Sequence, residues 1–408
     1  MRILKFIGAF LGAFLVIFLI VFGFNLNALF TLFENQKGIQ EGQEWVQKTY
    51  SLKGLTEYIG AQPERVSVAS LALTNPDSSI TYNTHTPRTM GRLSVIFSII
   101  EYARQVEEGT LNPGEQISLS AINQYQLPYI DESDHDDALQ HLREQIPEEQ
   151  STVSLQNIVE ATAAYNDIAL ADFLLFKIGP NTIEQLLDDL GIRETESPLP
   201  FSGLYITLNP NLQDRETKAH FDSLSQLSRT EFGQRTFAKT DKFINDEAYR
   251  EKVLSRFEDG EGLDIKFTKR RDALAFFPKT TASEMAGLMK KIQQETLLSA
   301  DISKRIKDIL DWPLKSERLQ SDFQSYGAIY DNRMGLVNGI DFGVSTYSEE
   351  PFAQAVFFDD LQVAFWFHMS SNLMHQDFEQ RLIWDPALRE ATVRQINEST
   401  RAKNSSTP

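Results

Sequence analysis

No cysteine occurs among the 408 residues, and that absence alone removes disulfides, thiol nucleophiles, zinc thiolate sites and iron–sulfur clusters. Positive charge is scarce as well: 39 Lys and Arg stand against 57 Asp and Glu, a net charge of −18. Binding to a phosphate backbone needs a basic stripe and none is visible, so nucleic acid is not an expected partner. The six histidines never approach a metal spacing such as His-Glu-x-x-His. Asp131-Glu132-Ser133-Asp134-His135-Asp136-Asp137 is dense in hard-cation ligands but lacks the glycine turn and distal glutamate of an EF-hand, and reads as a solvated acidic loop. No metal or organic cofactor is expected.

What remains is a globular composition, 41% hydrophobic and 24% charged, enough for one large domain or two ordinary ones. The N-terminus stands apart. Arg2 and Lys5 precede an uncharged apolar run from Phe6 to Phe24 that continues, interrupted by Asn25 and Asn27, to Phe33; about 20 such residues cross a bilayer. The run is too long for a cleaved signal and leaves through Phe24-Asn25-Leu26 without a small-x-small exit. Residues 1–33 are therefore expected to be a cytoplasmic stub and an uncleaved single-pass anchor in the inner (cytoplasmic) membrane. Lipid contact then runs through residues 6–33, and the main domain is periplasmic or extracellular. Gly8 and Gly12, each followed by alanine, either let two anchors pack as a homodimer or are small residues scattered in an apolar segment.

Beyond the anchor, residues 34–54 read as a linker helix leading away from the membrane. Arg65 to Leu73 alternates apolar and small polar residues, turns through Asn75-Pro76-Asp77-Ser78 and returns at Ile80 to Tyr82 as a hairpin. Ser94 to Val106 is apolar on almost every face, the mark of a buried central helix, and Gly109 stops it. Leu155 to Lys177 is a second apolar helix pair, broken near Tyr165-Asn166-Asp167, and Thr281 to Gln294 is an amphipathic helix with a threonine cap. Ser325 to Tyr330, Phe342 to Tyr347, Phe352 to Phe358 and Gln362 to Met369 are strand-like. His368, at the end of the last of these, reads as structural. Asp385 to Ile396 is a final helix and 398–408 a disordered polar tail. This order predicts an α+β domain over 55–397, one antiparallel sheet built from both ends of the chain with a helical insertion at about 116–320.

Several stretches resemble the serine β-lactamase and penicillin-binding protein superfamily, in particular its class A β-lactamase-like branch. Tyr82 to Leu111, with Met90, Gly109 and Leu111 in register, is similar to the strand end and helix that carry Ser-x-x-Lys and then Gly-x-Leu in that family. Ser154 to Gly179 follows its pattern of helix, Ser-Asp-Asn turn, helix and glycine; Thr280-Thr281-Ala282, with Met285 and Ala286, and the closing strands add to the likeness. It covers about Leu55 to Asn372 and is thinnest between Pro210 and Lys279. The chemical motifs depart from the pattern. In the ungapped frame Arg92 stands where the nucleophilic serine would be and Val95 where the lysine would be, and Asn166-Asp167-Ile168 replaces Ser-Asp-Asn. No Lys-Thr-Gly or Lys-Ser-Gly lies between Ser325 and Gly343, and either Tyr326-Gly327-Ala328 or Asp331-Asn332-Arg333 takes its place. Pro198 to Gly203 stands where a Glu-x-x-Leu-Asn loop would follow.

No shifted nucleophile replaces the lost one. Ser-x-x-Lys and Gly-x-Ser-x-Gly occur nowhere in the chain. Ser94, two residues beyond Arg92, lies about 200° around the helix, facing away from the cleft, and Ser98 sits in the apolar midsection; both read as small helix residues. The resemblance thus implies a degenerate cleft lined by Arg92, Val95, Tyr165, Asn166, Asp167, Asp331 and Arg333, with no catalytic residue. A cation at a helix N-terminus opposes the dipole by about 0.3–1 kcal/mol. Arg92 therefore pairs with Asp167 or Asp331, holds a ligand carboxylate in a bidentate fork, or snorkels to solvent. The expected function is a non-catalytic binding or regulatory protein of the cell envelope, its partner a cell-wall fragment or an envelope protein. The alternative is a serine hydrolase of the β-lactamase or D,D-peptidase type with relocated residues.

Overall fold

The computed structural model describes residues 33–406 except 129, 131, 148, 259–262, 264–265 and 312–316. The span expected at 6–33 lies, Phe33 apart, outside the described residues, among which no helix is long and apolar enough to cross a membrane. Three short helices come first: α1 (Gln36–Gln40), α2 (Gln43–Lys48) and α3 (Leu52–Ala61). The linker expected at 34–54 is corrected here, because its apolar residues are used for packing. Trp45 is buried edge-on against Tyr58 at 4.9 Å, and Tyr58 in turn packs on Phe358 and Phe365.

Strand β1 (Val66–Ala72) and β2 (Ile80–Tyr82) form the expected hairpin, followed by helix α4 (Val95–Glu107). The helical lobe contains α5 (Glu132–Glu144), α6 (Leu155–Ala164), α7 (Ile168–Ile178), α8 (Phe201–Leu208) and α9 (Ala282–Gln293). The chain returns to the sheet through β3 (Phe323–Asp331), β4 (Val337–Ser345) and β5 (Pro351–Phe358), then ends in α10 (Val363–Ser371), α11 (Met374–Trp384) and α12 (Pro386–Ser406). The five strands are antiparallel in the order β2-β1-β5-β4-β3. This is the α+β arrangement expected, with both ends of the chain in one sheet.

Successive side chains on a strand point to opposite faces, and the register shows where each face goes. Ala69, Ala355, Ile340 and Ile329 line up across four strands and face the helical lobe in one large core. One step along, Val68 and Val356 face the opposite layer, which α3 and the last three helices cover. Helix α4 runs through the larger core with Ile96, Phe97, Ile99, Ile100 and Tyr102 fully buried. Gly109, at φ +72, ends it in the left-handed conformation that a helix C-terminus favours.

Three local expectations are corrected. Gln362 to Met369 is rich in aromatic and β-branched residues yet forms helix α10, because this run packs on the N-terminal helices and does not extend either edge of the sheet, β2 or β3. The acidic stretch 131–137, read as a solvated loop, belongs from Glu132 onward to helix α5, whose His135, Ala138, Leu139 and Leu142 form a buried stripe. The tail expected to be disordered from 398 stays helical through Ser406. Thr400 Oγ1 donates to Ile396 O at 2.9 Å, and Ser399 Oγ lies 3.1 Å from the Tyr82 hydroxyl.

Candidate functional site

The site is built where three chain ends meet: the head of α4, the break between α6 and α7, and the turn after β3. One turn of 3-10 helix, Gly91–Ser94, leads into α4. Gly91 adopts φ +54, and a Cβ there would stand 2.1 Å from Asp331 Oδ2, so only glycine fits. The same carboxylate oxygen accepts the Arg92 backbone N–H at 2.6 Å. A negative group at the positive end of α4 is the favourable placement.

Arg92 is 2% exposed; the expected alternative of snorkelling to solvent is ruled out, and neither Asp167 nor Asp331 receives its guanidinium directly. That group donates instead to main-chain carbonyls: Ala163 O at 2.9 Å, Tyr330 O at 3.3 Å, and Thr162 O and Tyr165 O at shorter range. The last carbonyls of a helix have no partner within it and carry the negative end of the dipole. Arg92 is therefore a side-chain cap for the C-terminus of α6. Burial pushes its pKa down to about 10, with Asp331 acting in the opposite direction, so it remains charged at neutral pH. Val95, which the sequence reading set in the lysine position, is buried in the main core.

The register left open by the sequence is settled: Asp331-Asn332-Arg333 reaches the site. Arg333 Nε donates to Asp331 Oδ1 at 2.8 Å, its guanidinium also binds Asn166 Oδ1, and it lies over the Phe201 ring at 5.2 Å. Asn166 Nδ2 reaches Asn332 Oδ1 at 3.3 Å. Asp167 caps α7 by accepting Ala169 N–H at 2.8 Å, and its other oxygen pairs with His135 Nδ1 at 2.9 Å. His135 Nε2 lies 3.2 Å from Asn123 Oδ1. All seven expected residues thus lie at this junction, with Val95 and the Tyr165 carbonyl contributing to packing and capping. The site also contains Asn332, from the triplet that the sequence left open, and Asn123, His135 and Phe201, which were not counted among its residues. For His135 there was a signal: it heads the i, i+3, i+4, i+7 stripe of α5, hidden by the surrounding acids.

A cleft of about 760 Å³ borders this cluster, lined by Asn123, Glu132, His135, Asp136 and Arg143 among others. Arg92 is not part of its wall. Ser94 and Ser98 are buried along α4, and no group of three or more His, Asp or Glu among the described residues is placed to hold a metal ion.

An antiparallel sheet built from segments before and after a helical lobe, with the head of the lobe's central helix beside the edge strand β3, defines the β-lactamase-like serine hydrolase fold. A profile of the beta-lactamase enzyme family matches residues 52–376, and the chain belongs to that family. Among solved structures it is similar to a beta-lactamase from Sphaerobacter thermophilus, at 12% identity and a TM-score of 0.47, covering 87% of this chain and 98% of that one. Others are beta-lactamases from Chitinophaga pinensis, at 15% and 0.45, and from Xanthomonas campestris, at 13% and 0.45, each covering 86% of this chain and 98% of the other. No curated protein matches.

Proposed function

We propose that this is a membrane-anchored, extracytoplasmic member of the family that binds a cell-wall fragment or an envelope protein rather than hydrolysing one. The observation that carries this reading is the state of Arg92. In the family frame it takes the place of the nucleophilic serine, and its guanidinium is spent on the carbonyls at the end of α6. A serine nucleophile needs an adjacent base and an oxyanion hole. Here the base position holds the apolar Val95, and the acceptor-rich surroundings of Arg92 are the reverse of an oxyanion hole. Asp331 and Arg333 pair with each other, and the open cleft beside His135 is the space next to this cluster that a ligand could enter. The apolar run at 6–33 supports a single-pass anchor in the inner membrane with the domain outside the cytoplasm.

The test is covalent labelling of the full chain in its membrane with a fluorescent penicillin and with an activated phosphonate. No label that survives denaturation is expected. Covalent modification that disappears on Ser94→Ala or Ser98→Ala overturns the reading in favour of relocated serine chemistry.

A further inference from the structure

Of the seven large apolar side chains exposed among the described residues, four lie in or beside the N-terminal helices and α10: Phe33, 65% exposed, Tyr50, 80%, Phe367, 39%, and Leu373, 50%. Contacts join Tyr50 and Phe367 through α10, and Asn35, two residues after Phe33, touches the same region. Asn35 Oδ1 accepts the Phe267 N–H at 2.6 Å, and the Phe267 ring meets Phe367 edge-on at 5.2 Å. Trp366 lies against Phe367 at 4.6 Å. One residue further along α10, His368 faces Tyr50 at 6.3 Å and reaches Thr49 O with Nε2 at 3.2 Å. Leu373, just past the end of that helix, takes φ +49, a left-handed conformation costly for a non-glycine residue, and still presents its side chain outward. Scattered exposed apolar residues are ordinary, but a gathered aromatic patch marks an interaction surface.

The chain itself says what covers it. Phe33 is the last residue of the apolar run, and Asn35 is already buried and hydrogen-bonded to the domain. One residue spans at most about 3.6 Å, so Phe33, where the apolar run ends, adjoins this face. The helices at 36–48, which a linker would have used for reach, are packed on α10 instead: Ala364 N–H donates to Glu41 O at 3.0 Å.

We propose that this face lies on the lipid surface of the membrane holding residues 6–33, with Phe33, Tyr50, Phe367 and Leu373 in the headgroup layer. The inference rests on the anchor reading and goes beyond it: the domain is seated on the bilayer, not tethered above it. Aromatic side chains are the usual occupants of that layer, and an apolar face lying in the plane of the interface sinks about 5–10 Å into it. One consequence concerns the candidate site. Trp366 Nε1 donates to Asn332 O at 2.9 Å, so the turn that carries Arg333 sits one side chain behind the membrane-facing helix.

Because the native chain has no cysteine, single-cysteine labelling is clean. The full chain carrying Tyr50→Cys, Phe367→Cys, Leu373→Cys or Tyr347→Cys is labelled with a fluorophore and reconstituted in phosphatidylethanolamine–phosphatidylglycerol vesicles, with and without lipids brominated near the headgroup. Tyr347, 69% exposed, is the control. It follows the far end of β4, whose nine residues span roughly 30 Å. The chain is expected to float with the vesicles, and brominated lipid to diminish emission at 50, 367 and 373 but not at 347. Flotation without quenching at 367 and 373 overturns the inference while leaving the anchor intact. Quenching between labelled copies instead of by lipid overturns it in favour of a second chain. Failure to float overturns the anchor reading and the inference together.

Discussion

At the residue scale, Arg92 shows how a buried guanidinium can serve a structural purpose. A cation at the start of α4 would oppose the helix dipole, but its charge is carried across to the end of α6, where the dipole favours it, while Asp331 takes the amide that α4 leaves free. Arg92→Met should therefore cost about 3 kcal/mol in urea unfolding, since it leaves several buried carbonyls without donors. Arg92→Lys should recover only part of this, because a compact ammonium lacks the planar fork that reaches four acceptors. Equal stability for the three proteins would mean that the carbonyl cap contributes nothing. Gly91 is the companion residue. Gly91→Ala places a methyl against Asp331 Oδ2 and forces φ +54 on an alanine, so a loss of about 1–3 kcal/mol is expected by the same measurement.

At the element scale, the break between α6 and α7 is where side chains do the most positional work. Asp167 caps α7 with one oxygen and holds His135 of α5 with the other, so Asp167→Ala removes a cap and strands a buried imidazole. The expected loss is about 2 kcal/mol, and His135→Ala in the same background should cost little more, a non-additivity that a double-mutant cycle reads directly. The sequence revealed these helices and their break, because apolar runs with strong caps such as Asp167 and Thr281 carry their own boundaries. The hairpin, α4, β3 and β5 were legible from their apolar patterns, β4 only in its second half from Phe342 to Ser345, and the grouping of Arg92, Asp167, Asp331 and Arg333 only once a family frame aligned them. What stayed hidden depended on partners distant in sequence. Residues 362–369 have strand propensity, and only their packing on the N-terminal helices makes them a helix. Residues 34–54 look polar, and only the surface of α10 makes them part of the domain. His135 is masked by its acidic neighbours, and the role of Arg92 is written in carbonyls, which no side-chain pattern encodes.

At the scale of the whole molecule, buried ionisable groups on both sides of the sheet set how stability responds to pH. Burial raises Asp341 to about 7 against its hydrogen bonds from Gln354, Tyr330 and Tyr326, and raises Asp172 to about 7 against those from Ser202 and Phe201. Glu379 lies next to Asp341, and burial first, then that neighbour, raises it well above the usual carboxylate range. The unfolded chain releases such protons near pH 4, so the folded protein holds protons that the unfolded chain has lost. The stability these acids contribute is full below about pH 4 and is lost as pH rises through about 7. His375 acts the other way. Burial lowers it to about 3, so its contribution is present above about pH 6.5, the unfolded value, and is lost as pH falls towards 3. The two effects oppose each other in mildly acidic solution, but above about pH 6.5 the histidine no longer changes and only the acids continue to titrate. The thermal midpoint should therefore fall between pH 6.5 and 8. Asp341→Asn keeps a neutral amide where the protonated acid sits and removes one proton from the balance, so its decline over that interval should be shallower than that of the parent. Parallel declines for the two proteins would show that Asp341 ionises in the folded chain as it does in the unfolded one, and that the layer between β4 and α11 is wetter than its packing implies.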